Sequence, residues 1–453
     1  MIHRMTMTEM VEGIRSKSLS PRELWEAHHA QIERVNPQVN AFVKVFPEAS
    51  ENEAKGPLAG IPVTVKDCLD MTGEATACGS KLRAQHRAGA DATTVARLRA
   101  AGAQIIGRTN TPEFLANYET DNHLTGRTNN PWNLERVPGG SSGGEAAAIA
   151  ACMSAGGLGS DGGGSVRWPA HCCGIAGLKP TPGRVPGTGH YPTIGHPGGL
   201  LGVVGPMART VADVRLLFDV VAGYDSQDPF SAPVELRALD ACERVGVMEA
   251  WPGTPVQPAV RLAVKECARL LASIGVECEE FTPDGIERAP NIWSFFFTEL
   301  PAQFTAQLIG GREADTHWTG TEFLKLAMEQ PTPSSRDVVE KLSLRDAMRA
   351  RILRYMEKVP VLLWPAAGIE AFPHRARRYE TEGKEIGQFQ AILPLVAVNL
   401  LGLPALALPM VLSEGGLPVG VQLVGRPWEE ERLLALGARI EEARGRFPLA
   451  PLA

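Results

Sequence analysis

The chain has no long basic block, no cysteine framework and little aromatic content, 6% over 453 residues. Its 45 Lys and Arg are outnumbered by 51 Asp and Glu, for a formal net charge of −6. The longest basic cluster, HRARR at 374–378, is too short to track a phosphate backbone, so nucleic acid is not an expected partner. Eight cysteines are present and none has C-x-x-C spacing. Cys172 and Cys173 follow His171, yet adjacent side chains diverge and no second ligand pair lies nearby, so no metal is expected. Buried, reduced thiols in a cytoplasmic protein are the plain reading. MIHRMTMTEMVEGIRSKSLSP lacks an apolar core, which argues against a signal peptide. A phosphate loop would end in G-K-[ST], and none occurs. The charge-free run AILPLVAVNLLGLPALALPMVL, 391–412, is long enough to cross a bilayer. Its prolines, Gly402 and Asn399 interrupt it, so buried strands joined by turns are expected and no membrane span.

What the chain does have is glycine and serine gathered in PGGSSGGEAAAIAACMSAGGLGSDGGGSVRWP, 138–169. Two glycine clusters flank a helix-forming run, which suggests backbone drawn tightly around something small. Gly139, Ser141 and Gly143 spell the G-x-S-x-G nucleophile elbow, which requires an acid and then a histidine downstream. His171, His190, His196, His317 and His374 are available, and each reads equally well as structural or surface. Gly157, Gly159 and Gly162 spell G-x-G-x-x-G, but they follow a helix-like run, against the dinucleotide pattern. The N–H groups of Gly162, Gly163, Gly164 and Ser165 form a nest suited to one developing negative charge. A serine at the end of such a nest needs a base. Lys66 closes IPVTV, a β-branched strand, and is followed by Asp67. Burial there would lower its pKa into a useful range, although a solvated surface lysine is the competing reading.

Elsewhere the chain alternates helix and strand. Ser20, Pro21 and Glu23 form a capping box, and Leu24, His28, Ile32 and Val35 share the face of the helix it opens. DATTVARLRAAG and AQIIGRT read as helix then strand, with Asn110, Thr111 and Glu113 just beyond, where α/β proteins place binding residues. Trp132 is expected to pin a turn-rich surface loop. ERVGVMEA, VQPAVRLAVKECARLLASIG and VECEEFTP read as strand, helix and strand extending a sheet. NIWSFFFTELPAQFTAQLIG, 291–310, is a core helix or a hydrophobic wall over the site.

On GPLAGIPVTVKD, the segment ending GRTNTPEF, the GGSSGG to GGGSVRWPA stretch, GLKPTPGRVP, GPMARTVADV and PVGVQLVGRPWEEERLL, the chain resembles the amidase signature family of serine hydrolases. The resemblance implies an α/β amidase signature fold, a central mixed β-sheet flanked by helices on both faces. It implies one domain over 1–453, with the signature core at 60–220 and a variable region at 225–390 inserted within it. It makes Lys66 the base, Ser165 the nucleophile and Ser141 the bridging serine after a cis bond from Gly140. Ser142 is the rival for the bridge and otherwise supports the loop, as do Asp161 and Arg167. Gly162, Gly163, Gly164 and Ser165 become the oxyanion hole. The substrate pocket is expected to draw on Thr111, Trp168, Tyr191, Phe296 and Trp364, the last where relatives usually have a polar threonine nearby. The implied activity is metal-free and cofactor-free hydrolysis of a small-molecule amide through a seryl acyl-enzyme. Hydrophobic or aryl amides are favoured, with ester and carbamate side activities, and a homodimer is one expected assembly. The alternative within the family is the glutaminase subunit of a tRNA-dependent amidotransferase. A histidine-dependent α/β-hydrolase and a noncatalytic scaffold are the remaining readings.

Overall fold

A computed structural model describes residues 1–47, 55–195 and 198–453. Thirteen strands are found among them: β1 (Phe42–Val45), β2 (Pro62–Lys66), β3 (Gln104–Thr109), β4 (Gly156–Asp161), β5 (Ala176–Lys179), β6 (Val203–Ala208), β7 (Arg244–Val247), β8 (Glu277–Glu280), β9 (Val361–Pro365), β10 (Arg378–Thr381), β11 (Lys384–Gly387), β12 (Ala405–Leu412) and β13 (Pro418–Gly425). Eleven join one sheet in the order β1-β3-β2-β4-β6-β5-β12-β13-β9-β7-β8, and β10 and β11 form a separate hairpin. The sheet is mixed. β3, β2 and β4 run parallel, β9, β7 and β8 run parallel, and the strands between them are antiparallel.

The glycine-rich β4 explains much of the architecture. Gly156 and Gly157 point to opposite faces, as successive strand residues must. A Cβ on Gly156 would strike Met7 and Leu217, from helices Met7–Arg15 and Val211–Val221. One on Gly157 would strike Glu145 of helix Gly143–Ala150 at 2.1 Å. Helices therefore press on both faces of the same strand, and glycine is the residue that lets them. The G-x-G-x-x-G spelling is thus mostly strand, not a strand-to-helix turn.

Local signals read from sequence agree with the fold. Ser20 and Glu23 close a reciprocal capping box on helix Pro21–Val39, whose buried face carries Leu24, His28, Ile32 and Val35. His28 is buried with that face, its Nδ1 2.8 Å from the Leu24 carbonyl. Trp132 donates from Nε1 to the Cys173 carbonyl at 2.8 Å and ties its loop to the body. The strand–helix–strand unit over 244–280 extends the sheet edge, with helix Pro258–Ser273 between β7 and β8.

The charge-free run departs from expectation. Its first half is helical, Gln388–Ala391 and Leu393–Leu400, and only Ala405–Leu412 is a strand. A run buried on every side lacks the alternation that separates strand from helix. No helix among the described residues is long and apolar enough to cross a membrane.

Candidate active site

β2 and β4 run parallel, so Lys66 and Asp161 arrive together at the carboxyl ends of adjacent strands, where open sheets place their sites. Lys66 is wholly buried. Its Nζ lies 2.7 Å from Ser141 Oγ and 3.0 Å from Ser160 Oγ. Burial lowers the Lys66 pKa below the ordinary lysine value, and the opposing influence of Cys68, Cys78, Asp161 and Glu145 only partly offsets this. The Gly140–Ser141 peptide is cis. Ser142 is turned away from Lys66: its N–H donates to the Ser165 carbonyl at 3.2 Å and its hydroxyl bridges Ser160 at 3.3 Å. It supports the loop.

The turn from β4 into helix Arg167–Cys173 carries Ser165 and is held by one buried ion pair. Arg167 Nε lies 3.0 Å from Asp161 Oδ2 with both side chains fully buried. Asp161 also accepts from the Gly164 N–H at 2.7 Å and the Val166 N–H at 3.1 Å. Burial alone would raise the Asp161 carboxyl, but the charge and hydrogen bond of Arg167, with Lys179 and the Asn399 amide, hold it well below the usual carboxylate range. Gly164 takes φ +108°, and a Cβ there would also strike Leu395 at 2.8 Å, so only glycine fits. Because its N–H is committed to Asp161, Gly164 is withdrawn from the expected oxyanion donors. The neighbouring carbonyls are pinned, Gly162 by Trp293 Nε1 at 2.8 Å and Gly163 by Tyr118 Oη at 3.1 Å, which fixes the peptide planes of the nest.

Replacing Asp161 with asparagine leaves Arg167 buried without its charge partner. We expect the variant to lose about 3–5 kcal/mol at neutral pH. Because the folded-state pKa is depressed, the stabilisation is present above the ordinary Asp value and fades as pH falls through the depressed one. Urea denaturation of both proteins at pH 7 and in acid checks this: the gap in midpoint should narrow in acid, and an unchanged midpoint at pH 7 contradicts it.

Ser141, Ser160, Asp161 and Ser165 open onto a cavity of about 130 Å³, walled on its apolar side chiefly by Phe114, Leu115, Ile194, Val203 and Phe297. A smaller cleft also reaches Ser165, between Tyr118, Trp293, Phe297 and Phe323. Within the aromatic stretch, Phe297 and Trp293 face these spaces, while Phe295 and Phe296 pack in the core, so both expectations hold for different residues. A π-helical turn, Phe295–Glu299, carries the change.

Several expected pocket residues lie elsewhere. Trp168 is fully buried, donates to the Tyr118 carbonyl at 3.1 Å and stacks on Phe372. Trp364, in β9, sits edge-on to Trp251 with both faces of its strand covered. Phe296 packs against Phe295, and Thr111 is buried one residue past Asn110, its carbonyl bound by Asn122 at 2.7 Å. Tyr191 lies under the Arg83 guanidinium, 3.4 Å from ring centre to Cζ, and its neighbours Pro192, Thr193 and Ile194 line the cavity in its place. Phe114 and Leu115 take the role expected of Thr111.

The structure adds residues that sequence reading misses. Glu145 lies beneath the site, bound to Thr64 and, at 2.7 Å, to Thr109, and burial pushes its carboxyl up to about 7. A lone acid in an alanine helix is the available signal. Asn399 and Gln422 clamp Arg167 at 2.5 and 2.7 Å from more than two hundred residues away. Among the histidines weighed for an elbow, His171 is core, its two ring nitrogens on main-chain groups of Ile369 and Gly420. His317 and His374 are held outside the cavity, by Thr319 and by the Leu134 carbonyl. His190 lines the cavity, and His196 lies outside the described residues. Among the described residues no His, Cys, Asp and Glu cluster is arranged to hold a metal.

Residues 23–434 match the family model described as Amidase. The chain belongs to the Amidase family. It is an amidase signature serine hydrolase, a family that works through a Ser–cisSer–Lys triad, and it acts on amide C–N bonds. A glutamyl-tRNA(Gln) amidotransferase subunit from Roseiflexus sp. (strain RS-1) is 33% identical over 503 aligned positions, covering 100% of this chain and 99% of that one. A solved chain from work on a vestigial protein complex that reveals the evolutionary origins of an s-triazine catabolic enzyme superposes with TM-score 0.90 at 30% identity, covering 98% of this chain and 100% of that one. The 6-aminohexanoate cyclic dimer hydrolase superposes with TM-score 0.87 at 30% identity, covering 99% of each chain.

Proposed function

We propose that Ser165 attacks the carbonyl carbon of a small neutral amide while Ser141 and Lys66 carry its proton. The observation that supports this most is the 2.7 Å contact of a wholly buried lysine with Ser141 at the edge of the cavity that holds Ser165. Desolvation favours the neutral form of Lys66, which accepts the Ser141 proton as Ser141 takes the proton of Ser165. The N–H groups of Gly162, Gly163 and Ser165 hold the tetrahedral oxyanion, where one donor contributes about 3 kcal/mol. The proton then returns along the same path to the leaving nitrogen, which departs poorly as an anion. Water cleaves the acyl-enzyme by the reverse relay. Residues 60–220 supply this machinery, and we assign 225–390 as a variable region within one domain because it brings Trp293 and Phe297 to the site.

The cavity narrows the acyl group. About 130 Å³ is close to the size of an apolar cavity that takes up one benzene, so a short chain or single ring fits within it. Esters and carbamates of similar size present the same carbonyl and are side substrates.

A second reading is a glutaminase subunit that feeds ammonia to a partner. The comparisons favour it over an aryl or hydrophobic substrate, through the 33% identity that spans the whole chain. Among the described residues lining the cavity, however, there is no arginine or lysine to meet the α-carboxylate of glutamine. Ammonia release from aliphatic primary amides of increasing length, run beside benzamide, glutamine and asparagine, separates the two. We expect kcat/KM to rise with each CH₂, at about 0.8 kcal/mol apiece, until the cavity is full and then to fall. Glutamine as the best substrate, with no dependence on chain length, overturns the first reading and supports the second.

A further inference from the structure

The oxyanion nest is braced by a residue far from it in sequence. Trp293, in helix Ala289–Ser294, is buried and lies 131 positions from Gly162. Its Nε1–H donates to the Gly162 carbonyl at 2.8 Å, and its ring stacks on Phe297 with centroids 4.5 Å apart. The two rings press on the nest itself. A Cβ on Gly163 would lie 2.4 Å from the Trp293 ring, and one on Gly162 would lie 2.9 Å from Phe297. Neither glycine takes the left-handed φ of Gly164, so the rings and not the backbone exclude a side chain at both positions.

A trans peptide points its C=O and its N–H to opposite sides. The peptide between Gly163 and Gly164 shows the consequence. Tyr118 Oη holds the Gly163 carbonyl at 3.1 Å, and the Gly164 N–H, on the far side, meets Asp161 at 2.7 Å. The peptide between Gly162 and Gly163 is likewise trans, and Trp293 holds its carbonyl in the same manner. Trp293 and Tyr118 both wall the smaller cleft, so the Gly163 N–H faces away from it, towards the larger cavity lined by Ser141, Gly162 and Ser165. Glycine on both sides leaves this peptide free to rotate unless a partner holds its carbonyl.

We propose that Trp293 is a positioning residue for the reaction: its indole N–H holds the Gly162 carbonyl and so aims the Gly163 N–H at the tetrahedral oxyanion. This inference rests on Ser165 being the nucleophile in that cavity. The variable region then sets the strength of the oxyanion hole as well as the shape of the site. A donor held in place before the reaction acts on the transition state more than on the bound amide, so its loss falls on kcat.

The test removes the donor and keeps a ring in its place. Trp293→Phe deletes the N–H with part of the indole, and benzothienylalanine at position 293 exchanges the N–H for sulfur at nearly constant shape. With butanamide as substrate, kcat is expected to fall by about 10- to 100-fold in both proteins, with KM held within about threefold. A trifluoromethyl ketone with the same propyl chain, which a serine converts to a tetrahedral oxyanion adduct, should lose affinity by the same factor as kcat/KM. An unchanged kcat in the benzothienylalanine protein overturns the proposal even if the phenylalanine variant fails to fold. So does a loss carried by KM while the ketone binds as before. Fluorophosphonate labelling of the wild type keeps the two readings apart: label absent from Ser165 defeats the nucleophile assignment, whereas labelled Ser165 with kcat indifferent to the donor at position 293 defeats this inference alone.

Discussion

Replacing Ser165 with alanine is expected to lower amide turnover by about 10⁴-fold or more, the scale seen when a serine hydrolase loses its nucleophile. The fold should survive. The packing contacts of Ser165 run through its main chain, whose carbonyl accepts from the Ser142 N–H at 3.2 Å, and the adjacent Gly164 and Val166 amides bind Asp161. Ser142→Ala should cost far less, because its hydroxyl only bridges the main chain of Ser160. Steady-state rates with circular dichroism on both variants check this. If Ser165→Ala keeps most of the activity, the assignment of the nucleophile is wrong.

Lys66→Ala should remove the base and lower amide hydrolysis by about 10³-fold or more, with esters losing less because an alkoxide or phenolate leaves more readily than an amine. Lys66→Arg should not restore it, since arginine stays protonated and cannot accept. The wild-type profile carries the same signature. Protonated Lys66 cannot act, so the rate should fall as pH drops through the folded value, which burial places below the ordinary lysine value. Glu145 lies close enough to share that titration, so the acid limb belongs to the coupled network and not to one side chain. Rates measured from acid to alkaline pH for wild type and both variants decide the matter. An amide rate and profile unchanged in Lys66→Ala would falsify the role.

The parts of this site that sequence reading finds are those written into consecutive residues. The two glycine clusters, Lys66 at the end of a β-branched strand and the Asp161–Arg167 pair all sit within a few positions of the backbone feature that requires them. Gly157 and Gly159 are visible as glycines but not as strand residues, because what demands them is the Glu145 and Ser142 side chains that press on β4. Asn399 reads as a break in an apolar run and is a ligand of Arg167, a contact across 232 positions that no local pattern carries. The tryptophans mislead for a related reason. Trp168 and Trp364 lie near the site in sequence or in the sheet, yet which face of an element meets a cavity depends on its packing partners. Phe372 and Trp251 claim the two rings.

The central claim is that one serine of the glycine turn becomes covalently acylated. Trypsin leaves Ser141, Ser142, Ser160 and Ser165 together in the peptide 137–167, so a second cleavage before Asp161 is needed to separate them. That digest yields residues 161–167, DGGGSVR, in which Ser165 is the single hydroxyl. After reaction with a fluorophosphonate, mass spectrometry should find the adduct on this heptapeptide, and labelling should slow sharply in Lys66→Ala. An adduct confined to the 137–160 fragment, carrying Ser141 and Ser142, would contradict the account.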